Sequence, residues 1–419
     1  MIKGKLKFIK LDIVCLMAIF FLQFPIYQII YDHFYYMGYF RYNGINSGRM
    51  LFAMGTAYLF VILNRSVRNE FLNITYTISL TLFFFGELCL YVCDYKVDMT
   101  MIIILSCFLL FIKVIDHVRL DIGYVRTSRD MIKILLIITV IIFIPYLQYY
   151  RYINLQNLLF IDVYETRSIF NNLKMPAVLS YLYGPLARVI IPILIVEYYK
   201  RGKKVIVAML SLMLAYLFLC GALKSIFIGL LAIFFFYSGD YRQKKNRYIC
   251  MILLLEIAGL LSANFIGNFF IINILRRVYF IAARFNNYYV EYFRGNWTYY
   301  LHSGFAFFSD NNWMNGLDIS HYAGKYIMGT GTNANTGIFV EGYYSFGLAG
   351  AVIYLIVPIL ILLFLKELNY RPEFYGIVFL YLYYFNTSIL STMLLTHGLF
   401  IFLIVAFVYL RRKTSGNTG

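Results

Sequence analysis

Hydrophobic and polar positions along this chain alternate on the scale of whole helices. Apolar runs at 11–31, 50–63, 70–93, 99–115, 131–147, 177–198, 205–220, 225–237, 249–272, 337–365, 375–394 and 398–410 are separated by short polar connectors. A helix crosses about 30 Å of hydrocarbon with about 20 apolar residues, so the pattern predicts an all-α, polytopic integral membrane protein with about 12 transmembrane helices. No Gly/Ser or Pro linker and no internal repeat divides the sequence, and residues 1–419 read as a single integral membrane domain. One interruption is much longer than the others, and residues 273–336 are expected to form a large late external loop.

Within that loop, Val278, Ile281, Ala282, Phe285, Tyr288 and Tyr292 recur at helical spacing. This predicts an amphipathic helix on the outer membrane surface, with Arg277, Arg284, Asn287 and Glu291 on its polar face. Arg277 and Arg284 would lie two turns apart, about 10 Å along the axis. The helix should stop near Gly295–Asn296. The chain then returns to the membrane through NANTGIFVEGYYSFGLAG (333–350), a helix expected to be capped at Asn335–Thr336. It carries Glu341 in its second turn, and Gly342, Gly347 and Gly350 favour close packing.

Composition agrees with the pattern: 62% of the 419 residues are hydrophobic and 14% charged, a balance that excludes an ordinary soluble surface. The formal charge of +17 would suggest nucleic acid in a soluble protein. Here most Lys and Arg fall in alternate connectors, which places both termini in the cytoplasm and makes the charge mainly a matter of topology. After Lys10 the apolar run continues at spanning length, so it reads as a first membrane helix and not a cleavable signal. The six cysteines lie mainly inside apolar runs without metal-ligand spacing and read as buried small hydrophobes.

The remaining cations run against the topological trend. Arg41, Arg49, Lys96, Arg151, Arg167, Lys174, Arg276, Arg277, Arg284, Arg294 and Lys325 fall in external connectors, Lys224 at the turn between two short spans, and Arg188 within a span. They suit either a phosphate-bearing ligand or lipid headgroups. Arg188 and Glu256, at similar depth, are expected to pair. Glu341 is read as a general base or as a partner for an arginine. His302, His321 and His397 have the proton affinity for hydroxyl deprotonation. Trp297, Tyr299, Tyr300 and Trp313 suit stacking on sugar rings, with Asn335 as a hydrogen-bonding neighbour. No metal motif and no serine nucleophile elbow occurs, so neither a metal nor a cofactor is indicated.

The segments DVYETR (162–167), YLYGPLARVIIP (181–192), GALKS (221–225), RRVYF…NNYYVEYF (276–293) and NANTGIFVEGYYSFGLAG (333–350) resemble the Wzy-type polymerases of bacterial O-antigen and capsular polysaccharide. The resemblance implies metal-independent glycosyl transfer at the outer face of the bacterial plasma (inner) membrane. Donor and acceptor would be polyprenyl-diphosphate-linked oligosaccharides. Membrane lipids would surround the enzyme, with a flippase and a chain-length regulator as partners and no nucleic acid. On this reading Arg277, Arg284, Lys224, Arg276 and Arg167 hold the leaving diphosphate, and Glu341 or His302 is the base. An O-antigen ligase-like transferase and a lipid-linked oligosaccharide flippase or transporter stand as alternatives.

Overall fold

The computed structural model describes residues 2–38, 40–123, 131–159, 163–173, 175–221, 224–265, 267–303, 317–329 and 333–411. Among these, regular structure is helical, and one isolated bridge joins Tyr370 to Arg411. Among the described residues, seven helices are long and apolar enough to cross a membrane: Leu11–Phe34, Glu70–Cys93, Met131–Tyr149, Ala177–Lys200, Lys204–Gly221, Tyr241–Phe265 and Ile338–Glu367. Thr100–Ile115, Ser225–Tyr237 and Leu399–Tyr409 are shorter apolar helices. Along Met131–Tyr149, Ile134, Ile137, Ile141 and Ile144 share one outward helical face and are each more than half exposed. Water penalises such a stripe and lipid does not. The chain is a multi-pass membrane protein by the length, composition and outward faces of its helices.

The chain packs as two compact units. The first comprises Met1–Arg119, Asp240–Phe364 and Tyr384–Leu390. Its centre is Glu70–Cys93, whose spanning window is 100% buried, with Ile2–Phe34, Ser47–Ser66, Thr100–Ile115 and Tyr241–Phe265 packed around it. Helix starts are fixed locally. Asn46 accepts the Arg49 amide at 3.0 Å and Asn69 accepts the Leu72 amide at 3.1 Å, each cap contributing about 1 kcal/mol. Buried Thr75, Ser79 and Thr81 bond carbonyls one turn back, at 2.8–3.0 Å, so these three hydroxyls enter the core with their donors satisfied.

The second unit comprises Leu120–Gly239, Leu365–Tyr383 and Ser391–Gly419. Tyr146, Tyr150, Phe170 and Tyr183 form an aromatic cluster with ring centroids 5.0–5.9 Å apart. An ion network of Glu197, Arg201, Arg371, Glu373 and Lys200 ties its polar end.

Two apolar runs are broken where length alone suggested continuous spans. Residues 375–394 divide into Tyr375–Phe385 and Leu390–Leu395. Ile338–Glu367 breaks at Phe346 (φ −145°, ψ 21°) and Gly347 (φ 70°, ψ −160°). A Cβ on Gly342 would lie 2.4 Å from the Gly350 carbonyl oxygen, whereas eight residues of straight helix would separate them by about 12 Å. The arms 338–345 and 348–367 therefore fold back on each other, backbone against backbone. The glycines expected to favour close packing do so at a reversal within one helix.

The conformation of Gly347 is closed to residues with a Cβ, and a Cβ there would also come 3.1 Å from the Trp297 ring. Gly347→Ala is expected to destabilise the protein by about 1–3 kcal/mol, read as a lowered thermal midpoint in detergent. An unchanged midpoint contradicts the strain argument.

Candidate functional site

The helix Ile281–Tyr292 is not the surface amphipathic helix expected from its periodicity. Ala282 through Val290 are all buried, and the polar side chains face protein. Arg284, 2% exposed, pairs with fully buried Asp94 and stands 4.8 Å over the Tyr288 ring. Asn287 donates to Glu87 at 2.6 Å. Asn286 donates to Asn386 at 2.9 Å and accepts from Thr336 at 2.7 Å. The Tyr289 hydroxyl lies within bonding distance of the Ala334 and Ile319 carbonyls, at 2.9 and 3.2 Å. Partners come from the Glu70–Cys93 helix and its following turn, from the 318–336 segment and from the 384–390 stretch, all in the first unit. The expected phosphate-facing pair Arg277–Arg284 is thereby separated. Arg284 is locked into the core, while Arg277 lies half-buried in the preceding π-helix Ile271–Phe280 and has no ion-pair partner among the described residues.

Sequence reasoning missed the residues that aim this helix. The Arg49 guanidinium bonds the carbonyls of Tyr91, Asp94, Tyr95 and Val97 at 2.8–3.1 Å, so one side chain shapes the 91–97 turn. That turn presents Asp94 to Arg284, and Asp98 just beyond it pairs with Arg294. Arg41 pairs with Glu291 at 3.3 Å. The available signal was a pair of acids at 94 and 98 in a connector, set against an excess of arginines in the connectors expected on the same side.

The capping expected at Asn335–Thr336 is not made. Asn335 is exposed, Thr336 bonds Asn286, and helix 338–345 starts after Gly337. A Cβ on Gly337 would sit 2.3 Å from the Phe385 carbonyl oxygen, so this close approach fixes the start. Glu341 follows in the first turn, fully buried, and one carboxylate oxygen accepts the Leu390 amide at 2.6 Å. The other stands 3.5 Å from His302 Nε2, and His302 Nδ1 is 2.9 Å from the Thr298 hydroxyl. With Nε2–H directed at Glu341, Nδ1 accepts from Thr298. The structure therefore joins the two candidate bases into one buried chain: Thr298, His302, Glu341. The Tyr344 ring packs edge-on to His302 at 4.6 Å, and its buried hydroxyl has no hydrogen-bond partner among the described residues.

Residues 297–303 form a bracket over helix arm 338–345. The Thr298 and Tyr299 amides bond the Tyr344 and Ser345 carbonyls at 2.8 and 3.1 Å. Tyr299 and Tyr300 both take positive φ, 48° and 69°, a left-handed conformation costing non-glycine residues about 1–3 kcal/mol each. Tyr300 turns inward, edge-on to His302 at 5.3 Å, while Trp297 rests on Tyr343 at 5.4 Å. Nearby, burial alone would raise the Asp318 carboxyl, but bonds from Ser320 and His321 hold it below the usual carboxylate range.

Comparison with family models, curated proteins and solved structures returned no match. The site therefore stands on its own geometry.

The other expected residues fall elsewhere. Arg276 bonds the Ile272 carbonyl at 2.9 Å and lies over the Phe34 ring. Arg167, on Val163–Asn171, and Lys224, which opens Lys224–Tyr237, belong to the second unit. The Lys224 side chain, Lys174 and Trp313 lie outside the described residues. Arg188 and Glu256 do not pair. Arg188 bonds Ser225 and the Thr396 carbonyl at 3.3 and 3.1 Å, and buried Glu256 faces Tyr279 and Gln23. Among the described residues, no three His, Cys, Asp or Glu are grouped to hold a metal ion.

Removing one member of a buried ion pair strands the other, typically costing about 3–5 kcal/mol. Arg284→Met is expected to show that loss in thermal unfolding or in folded protein recovered from membranes. Adding Asp94→Leu should recover most of it. A single variant as stable as the parent contradicts the arrangement.

Proposed function

We propose that this chain is a bacterial polysaccharide polymerase. It joins polyprenyl-diphosphate-linked oligosaccharide repeat units by metal-independent glycosyl transfer at the outer face of the plasma membrane. The observation that carries the reading is the Thr298–His302–Glu341 chain, which draws a base from the middle of the long polar segment together with one from its far end. In the reaction, the acceptor hydroxyl gives its proton to the His302–Glu341 pair. Its oxygen bonds to the anomeric carbon of the donor sugar, and the old carbon–oxygen bond breaks with its electron pair leaving on the diphosphate. General-base help of this kind contributes about 10²–10⁴-fold. Both side chains are buried, so the proposal includes a local opening that admits the acceptor hydroxyl while residues 297–303 stay bonded to the 338–345 arm.

The diphosphate role rests most directly on Arg277, whose charge is not consumed by an internal ion pair among the described residues. The proposal keeps Arg276 as a contributor and gives Arg284 a positioning role through Asp94. It also includes about twelve spans, cytoplasmic termini, an external 273–336 segment, and a flippase and chain-length regulator as cellular partners.

Deletion of the gene followed by glycan electrophoresis is expected to leave a single repeat unit on the acceptor. Glu341→Gln and His302→Ala should each reduce extension by about 10²-fold or more in protein that still accumulates in the membrane. Loss of all surface glycan on deletion favours a flippase, and unattached polymer of normal length favours a ligase. Asn296→Cys, at an exposed position, should react with an impermeant maleimide in intact cells, and labelling only after lysis overturns the topology.

A further inference from the structure

The strained turn at Tyr299–Tyr300 shows a division of labour among the loop aromatics. Tyr300 faces inward to His302, whereas Tyr299 is 65% exposed and meets Phe346, 46% exposed, with ring centroids 6.4 Å apart. Phe346 stands at the reversal between the two helix arms, where Gly347 closes against the Trp297 ring. The Arg294–Asp98 ion pair lies at the same end, because Arg294 also bonds Tyr343, the residue on which Trp297 rests. Glycine is the residue that adopts such a left-handed turn without penalty, yet this one carries two tyrosines and pushes one ring outward. An acyl chain needs neither a fixed ring angle nor a charged pair. A sugar ring uses both: its CH face stacks on an aromatic, and its hydroxyls bond a guanidinium and a carboxylate.

We propose that Trp297, Tyr299 and Phe346, with Arg294 and Asp98 at the rim, form a sugar-binding platform that presents a glycan residue beside the His302–Glu341 pair. The proposal deepens the glycosyl-transfer reading and rests on it for the origin of the sugar. Tyr299 supplies the stacking face. Arg294 and Asp98 select ring hydroxyls. The backbone bonds from Thr298 and Tyr299 to the Tyr344 and Ser345 carbonyls tie the platform to the arm that carries Glu341.

The test uses the full-length Trp313→Phe protein in phosphatidylethanolamine–phosphatidylglycerol nanodiscs, so that Trp297 is the indole reporter. It is titrated to millimolar concentrations with glucose, galactose, N-acetylglucosamine and glucuronate. At least one sugar should change the emission saturably, Tyr299→Gly and Phe346→Ala should each weaken binding about tenfold, and Tyr299→Phe should retain it. Because glycine suits the left-handed backbone, Tyr299→Gly should unfold no earlier than the parent, which separates loss of the ring from loss of the fold. No response to any of the four sugars, or equal affinity in Tyr299→Gly, overturns the platform. So does a Tyr299→Gly effect confined to Trp297 quenching by brominated lipid, which makes the ring a membrane anchor. Sugar binding together with unchanged glycan length on gene deletion would keep the platform and sink the polymerase reading.

Discussion

Burying a guanidinium costs several kcal/mol unless a carboxylate and further hydrogen bonds replace its water. Arg284 is 2% exposed, so the packing of the first unit is arranged to meet that requirement. Asp94 supplies the charge and Tyr288 supplies a ring face. The Arg49 guanidinium, by gathering four carbonyls, holds the turn that places Asp94. The same buried helix offers Asn286, Asn287 and Tyr289 to three other segments. Once Arg284 and Asp94 are joined, the positions of Thr336, Ala334 and Asn386 follow from hydrogen bonds that would otherwise be unmade in a core.

That arrangement positions the site. Asn286 ties Thr336 and Asn386 to one point, bringing Gly337 against the Phe385–Asn386 backbone. Helix arm 338–345 starts from there and directs Glu341 toward the Leu390 amide and His302. The reversal at Phe346–Gly347 then turns the chain back after two helical turns, leaving room for the 297–303 bracket to pair with the arm's last carbonyls. Backbone strain at Tyr299 and Tyr300 is tolerated because these bonds, the Trp297 contact and the His302 contact over-determine the loop.

Several parts of this were legible from residues alone. Long apolar runs gave helices, Gly342 and Gly350 gave close packing, and the polar 273–336 stretch contained His302 while Glu341 followed just after it. Other parts were not. The periodicity of 278–292 was real, but the same stripe suits a helix on a membrane surface and one whose polar face meets buried Asp94 and Glu87. Asn335–Thr336 had the chemistry of a cap, but Asn286 competed successfully for Thr336. Arg188 and Glu256 matched in depth, but helical depth says nothing about which neighbour each side chain faces.

The sequence by itself determined that the chain is a helical, multi-pass membrane protein, because the length and apolarity of a span are local properties of about 20 residues. It also determined where polar chemistry concentrates, since residues excluded from hydrocarbon must collect in connectors. Only the tertiary structure decided which of those polar residues meet. Arg284 with Asp94 spans 190 positions in sequence, and His302 with Glu341 spans 39. Pairings at such separations are selected by the shared cost of leaving any one of them buried and unmatched. That cost belongs to the packed unit and is written in no single segment.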